Sequence, residues 1–355
     1  MKSTARANER RSLTVQPYSR TAVNRTIARR LPGISGALRE VALGCLVRTV
    51  ASLFLLLALA IGLRRATERP AAIPPVSNDT RDVVVEGVRW RSREAAGDRR
   101  PGDPVIFVHG FLSSSTTWSR VLVDSSAGRP AVAVDLPGAG FSDRPWPFDY
   151  TVQGQAEHLR RYLDARGFSR AVLVGNSLGG AVCEALAAAH PERVAALVLV
   201  DAAFPKMAIP TGFRLLRAPL VGEIQIELLV RPVIEYSLRR RLYARADRVT
   251  EATIDEWWDP IRVPGTRRAA LEAVRSRFTA TEALLARIRA PTLVLWGKQD
   301  RLMDPSEGLA LATAIEGAQF VVLPGVGHLP QEEDPILFSK TVSAFLEQFP
   351  RAAMR

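Results

Sequence analysis

Val172-Leu173-Val174-Gly175-Asn176-Ser177-Leu178-Gly179-Gly180 decides how this chain folds. Residues 171–174 are short, apolar and mostly β-branched, as expected of a strand buried on both faces. They stop at Gly175, and an alanine-rich helical run, residues 178–190, begins two residues after Asn176. Ser177 therefore falls on a tight strand-to-helix turn. Such a turn strains the serine backbone and brings neighbouring chains close, hence glycine on both sides. It presents the hydroxyl above the sheet, at the positive end of a helix. Gly175-Asn176-Ser177-Leu178-Gly179 alone is a pattern that also arises by chance; set between a buried strand and a helix it points to a nucleophile.

Working outward, Val105–Val108, Ala131–Val134 and Val194–Val200 read as further buried strands, joined late in the chain by residues 292–295 and 320–323. Residues 83–94 alternate around Glu86-Gly87 and read as a β-hairpin. Helical stretches, such as 151–166, separate the strands, which implies a mostly parallel sheet with helices on both faces. Residues 205–289 break the alternation. They hold amphipathic runs at 223–243, 253–258 and 267–286, and read as a helical cap over the sheet's C-terminal edge, where ligands bind in such folds.

A hydroxyl needs an adjacent base, and the chain has 4 histidines. His158 lies in a polar helix and reads as a surface residue. His190 precedes Pro191 and reads as a helix C-terminal cap. His109 belongs to the Val-His-Gly-Phe turn after residues 105–108 and reads as a brace for it. His328, in the glycine-rich loop 323–329 after the last strand, is the expected base. Asp300, three residues past Gly297, is the expected acid. Asp201, directly after Val194–Val200, competes with it, as does Asp304, which reads as a turn or N-cap residue before Pro305. Backbone N–H groups of Phe111 and Leu178 are the expected oxyanion donors. Some apolar cap residues, among them Phe213, Leu215, Leu216, Ile224, Ile226, Leu228 and Leu229, are expected to line an acyl pocket.

Charge separates the N-terminus from the rest. Residues 1–70 hold 13 Lys+Arg against 3 Asp+Glu; the remainder hold 35 against 33. The net charge of +12 thus belongs to a tail, whereas a nucleic-acid partner would call for a basic domain. Residues 1–40 read as a basic, disordered tail. Residues 42–63, 22 in number, would span about 33 Å as a helix, enough for a bilayer core of about 30 Å. The expectation is a transmembrane anchor over residues 41–65, with a cleaved signal or a soluble extension as the alternatives. Nine basic residues before it against three just after orient the N-terminus to the cytosol and the catalytic body outside it. Residues 66–81, with Pro70, Pro74 and Pro75, read as a stiff linker, and the folded domain as residues 82–350. Cys45 and Cys183, the 2 cysteines, suggest neither a disulfide nor a metal cluster.

Val-His-Gly-Phe (108–111), Asp-Leu-Pro-Gly-Ala-Gly-Phe-Ser-Asp (135–143), Gly-Asn-Ser-Leu-Gly-Gly (175–180), Trp-Gly-Lys-Gln-Asp (296–300) and Gly-Val-Gly-His (325–328) together resemble the α/β-hydrolase superfamily, in its alpha/beta hydrolase fold-1 branch. The chain order Ser177, Asp300, His328 is that family's order of nucleophile, acid and histidine. The resemblance covers roughly residues 82–350 and implies an eight-stranded mostly parallel sheet, a helical cap and no cofactor. Serine at 177 argues against the branches that use an aspartate nucleophile. The expected activity is cleavage of an ester-like bond in a small-molecule or lipid-like substrate through an acyl-enzyme. C–C bond hydrolysis and a non-catalytic binding role on the same fold are the alternatives.

Overall fold

The computed structural model describes residues 36–95, 102–204, 211–276 and 282–349. Most of the expected basic tail (1–35), the start of the expected cap (205–210) and residue 350 lie outside these. The chain divides into two units, residues 1–66 and 67–355.

Among the described residues, the first unit holds all but the last residue of α1, Gly36–Thr67. Its stretch Ala42–Thr67 is 26 residues long and apolar enough to cross a membrane. Leu43, Leu55 and Leu59 are exposed in it; a long helix that is apolar without being buried has the character of a membrane span.

In the second unit, β1 (Thr80–Val85) and β2 (Val88–Glu94) form the expected hairpin, turning on Glu86 (φ 49°) and Gly87 (φ 81°). Strands β3 (Val105–Val108), β4 (Ala131–Val134), β5 (Ala171–Asn176), β6 (Val194–Val200), β7 (Thr292–Gly297) and β8 (Gln319–Leu323) complete an 8-stranded sheet. Its order is β1-β2-β4-β3-β5-β6-β7-β8. The hairpin joins β4 antiparallel, and every later pairing is parallel. Side chains alternate between two cores. Ile106, Val108, Leu173, Leu199 and Val294 pack on one face against α2 (Val152–Ala165) and α3 (Leu178–Ala189). Phe107, Val174, Val198 and Leu295 pack on the other against Phe338 and Val342 of a C-terminal helix. Both faces are covered, which is why these strands read as continuous apolar runs; each such side chain contributes roughly 1.5–3 kcal/mol on burial.

The cap departs from expectation in its breaks. In place of one helix over 223–243, α4 (Thr211–Arg217), α5 (Val221–Glu227) and α6 (Arg231–Ser237) follow in turn, and α6 runs into a π-helical turn, Leu238–Leu242. Pro232 lies in the first turn of α6, where its missing N–H costs nothing; inside a longer helix it would remove a hydrogen bond and clash with the preceding turn. Then come α7 (Glu251–Arg262), α8 (Thr266–Arg275) and the short α9 (Glu282–Leu285); residues 277–281, inside the expected 267–286 helix, are outside the described chain.

The segment read as a linker is held to the body. Glu68 forms a half-buried ion pair with Arg267 (2.8 Å). Ala71 N–H donates to the Arg262 carbonyl (3.4 Å), and both Arg91 terminal nitrogens donate to the Pro74 carbonyl (3.0 Å each). After β7 come α10 (Pro305–Ala314), α11 (Pro330–Glu333) and α12 (Pro335–Leu346). The ends of the parallel strands, and the loops that follow them, converge beneath the cap.

Candidate active site

Ser177 stands between β5 and α3 with φ 53° and ψ −119°, a strained combination for an L-residue. Its N–H donates to the Val200 carbonyl (3.0 Å), and its carbonyl accepts from Ala203 (3.0 Å) and Ala181 (3.3 Å). The flanking glycines answer to close approach. A Cβ on Gly179 would lie 2.3 Å from the Val108 carbonyl oxygen, and one on Gly175 would lie 2.5 Å from that of Gly179.

His328, buried in the loop between β8 and α11, has Nδ1 2.7 Å from Asp300 Oδ2. Asp300 Oδ1 accepts from the backbone N–H groups of Leu302 (2.7 Å) and Met303 (3.0 Å). Burial alone would raise the Asp300 carboxyl, but His328 and the two backbone donors outweigh it and hold it below the ordinary carboxylate range. An ionised acceptor at Nδ1 puts the proton of the neutral ring there and leaves Nε2 with the free lone pair.

Ser177 and His328 line one cavity of about 510 Å³, whose walls include Phe213, Leu216, Ile226, Leu229 and Trp257. Four of the seven cap residues expected at an acyl pocket (Phe213, Leu216, Ile226 and Leu229) line it; Leu215 and Leu228 are exposed. Arg241 of the π-helical turn is the one Lys, Arg, Asp or Glu side chain among the described lining residues.

The loop after β3 abuts the serine: a Cβ on Gly110 would sit 3.2 Å from Ser177 Cβ. Phe111 follows on this loop, and Leu178 opens α3, whose first N–H groups have no partner within the helix. Phe111 lines the large cavity, and both residues border a smaller one of about 40 Å³. His109 accepts at Nε2 from Leu136 N–H (3.1 Å) and donates from Nδ1 to the Gly110 carbonyl (2.8 Å). Because Nε2 accepts, the imidazole braces the turn in its neutral form, and burial lowers its pKa. His158 stacks on Phe148 with ring centroids 4.1 Å apart, so it is half-buried and not the solvated residue expected. His190 lies 3.5 Å from Glu157 at the end of α3. Neither lines the cavity. Asp304 caps α10 through Ser306 N–H (2.9 Å).

Three contacts that hold the His328 loop carry no signal in sequence. Asn176 Nδ2 donates to the carbonyls of Val200 (3.1 Å) and His328 (3.2 Å). His328 N–H donates to the Leu242 carbonyl in the cap (2.8 Å). Glu333 accepts from Gly327 N–H at Oε1 (2.6 Å) and from Ala244 N–H at Oε2 (2.8 Å). The loop carrying the histidine is thus tied to both the serine turn and the cap.

Asp201 directly follows β6 and is fully buried. Its Oδ1 accepts from Gly297 N–H (2.8 Å), and its Oδ2 has no hydrogen-bond donor. Asp201, Asp300 and His328 present one ligand-type atom each within 4.8 Å of one another, the only such group among the described residues. The direct His328–Asp300 bond directs the imidazole Nδ1 proton at the carboxylate, which is the arrangement of an acid–base pair; a nitrogen that binds a metal must carry a free lone pair.

A strained serine turn, a carboxylate-bound histidine and a cavity lined largely by apolar cap residues thus meet at the sheet's C-terminal edge. The chain belongs to the Alpha/beta hydrolase family, which it matches over residues 105–341. It is similar to a 2-hydroxy-6-oxo-2,4-heptadienoate hydrolase of Pseudomonas putida, at 32% identity over 69% of this chain and 89% of that protein. It is 29% identical to a monoacylglycerol lipase of Xenopus laevis over 70% of this chain and 77% of the relative. A membrane phospholipase A of known structure matches with a TM-score of 0.65 at 25% identity, over 88% of this chain and 98% of that one.

Proposed function

We propose that this protein is a membrane-anchored serine hydrolase that cleaves carboxylic esters of apolar acyl groups. The observation that carries this is the opening of Ser177 and the Asp300-bound His328 onto one cavity of about 510 Å³. In the proposed mechanism His328 Nε2 takes the Ser177 proton as Oγ attacks the ester carbonyl. The N–H groups of Phe111 and Leu178 hold the oxyanion. His328 then protonates the leaving alkoxide, and the acyl-enzyme is hydrolysed by water that the same imidazole deprotonates.

The ring-cleavage and lipase relatives support two bond types, C–C and ester. The apolar cavity wall and the apolar helix Ala42–Thr67 favour an ester that partitions into a bilayer. Nitrophenyl esters of graded chain length, beside a monoacylglycerol, a phospholipid and a ring-cleavage dienoate, test the reading. Turnover is expected to rise from acetate to medium chains, and Ser177→Ala is expected to abolish both turnover and fluorophosphonate labelling. Cleavage of the dienoate alone would overturn the ester reading. Full-length protein is expected to remain with membranes after carbonate extraction, with the body outside the cytosol; release by the wash would overturn the anchor.

A further inference from the structure

Two carboxyl groups lie side by side behind His328, and the mechanism uses one of them. Asp300 accepts at both oxygens, from Leu302 N–H and Met303 N–H on Oδ1 and from the imidazole on Oδ2, which has room for a second donor. Asp201 is as deeply placed, at the end of the adjacent strand, yet has one oxygen bonded to Gly297 and the other with no donor. One oxygen of each carboxylate lies within 4.8 Å of the other, and two ionised carboxylates buried so close are doubly unfavourable, through lost solvation and like-charge repulsion. Both penalties vanish if the pair holds one proton.

We propose that Asp201 is a carboxylic acid whose Oδ2–H donates to the Asp300 carboxylate, making it a positioning residue for the His328–Asp300 pair. This rests on the serine-hydrolase reading above. Asp201 keeps its proton throughout the cycle; only the proton passed between Ser177, His328 and the leaving group or water moves. The extra donor locks the Asp300 rotamer and favours its ionised form, so Asp300 remains an acceptor for the imidazole. The assignment accounts for the positive φ of Asp201, 42°, as strain accepted where the fold must aim a side chain. It agrees with the electrostatics of the site. Burial, the Asp300 charge and a hydrogen bond to Asp300 hold the Asp201 carboxyl well above its ordinary range, with the Gly297 N–H opposing and Glu333 of α11 adding to the rise.

Asp201→Asn is nearly isosteric and keeps both roles, since its amide oxygen accepts from Gly297 and its N–H donates to Asp300. Asp201→Ala keeps neither. The pH dependence of kcat/KM and of fluorophosphonate labelling is measured for the wild type and both variants, with melting temperatures as a check on folding. Asp201→Asn is expected to fall about threefold, with its acid limb within about 0.3 pH unit of wild type; Asp201→Ala should fall roughly 10–100-fold, the worth of a hydrogen bond to a charged group. If Asp201 were instead ionised, Asp201→Asn would remove a negative charge beside His328 and lower the acid limb by about a unit or more. That shift would overturn the proposal, as would an Asp201→Asn variant no more active than Asp201→Ala. An infrared carboxylic-acid band present in wild type at neutral pH and lost in Asp201→Asn is expected independently of turnover, and its absence from wild type would also overturn it. Failure of the wild type to label at Ser177 would instead refute the serine-hydrolase reading.

Discussion

Asp300→Asn isolates the tautomer argument. The amide that replaces the carboxylate has one acceptor and one donor end, and the backbone dictates which goes where. Leu302 and Met303 N–H groups both point at the Oδ1 position, so the amide oxygen must sit there. Turning it round would break two hydrogen bonds, about 1 kcal/mol each, and set N–H against N–H. The amide N–H therefore faces His328 Nδ1, now 2.7 Å from a carboxylate oxygen. Nδ1 becomes the acceptor, the ring proton moves to Nε2, and the nitrogen that should accept the Ser177 proton is blocked. With the charge partner of the imidazolium lost as well, kcat/KM is expected to fall by about 10⁴-fold, as for the corresponding change in a serine-protease triad. The assay is hydrolysis of nitrophenyl butyrate near pH 7, with labelling of Ser177 by a fluorophosphonate as the second readout. A variant that melts like wild type and retains a tenth of its activity would show that the Asp300 carboxylate does not set the His328 tautomer.

Three further outcomes are expected. Gly179→Ala would put a Cβ 2.3 Å from the Val108 carbonyl oxygen, backbone that cannot yield, so it should destabilise by about 3 kcal/mol or more and be read as a lowered urea midpoint; wild-type stability would contradict the packing. Arg241→Gln should raise KM about tenfold for an ester with a phosphate or carboxylate group while leaving the neutral analogue near wild type; equal losses on both would contradict a binding role for Arg241. Burial pushes the Glu333 carboxyl from 4.5 up to about 7, so between these values the folded state holds a proton that the unfolded chain releases. The stabilisation is full below about 4.5 and is lost as pH rises through about 7. The melting temperature of wild type relative to Glu333→Gln should therefore fall between about pH 5 and 7.5, and a flat or rising difference would refute the assignment.

Features built from consecutive residues can be read directly along the chain. A buried strand, a glycine-bounded serine and an alanine-rich helix are consecutive, so the turn at Ser177 was legible in residues 171–190, and the same holds for the other parallel strands and for the hairpin at Glu86-Gly87. With 4 histidines, elimination pointed to His328, and the structure brings it to Asp300. Features that join residues distant along the chain emerge only in the folded molecule. Its place three residues past Gly297 makes Asp300 the expected acid, but that His328 Nδ1 bonds Asp300 and not Asp201 depends on how the loop after β7 packs beside β6. The helix run over 223–243 obeyed an amphipathic period, yet Pro232 and the packing of α5 and α6 around the cavity broke it. Asn176, Leu242 and Glu333 hold the His328 loop through contacts as long as 152 positions in sequence, each of them through a backbone carbonyl or amide. Such groups are the same in every residue, so their partners emerge only when the chain is folded.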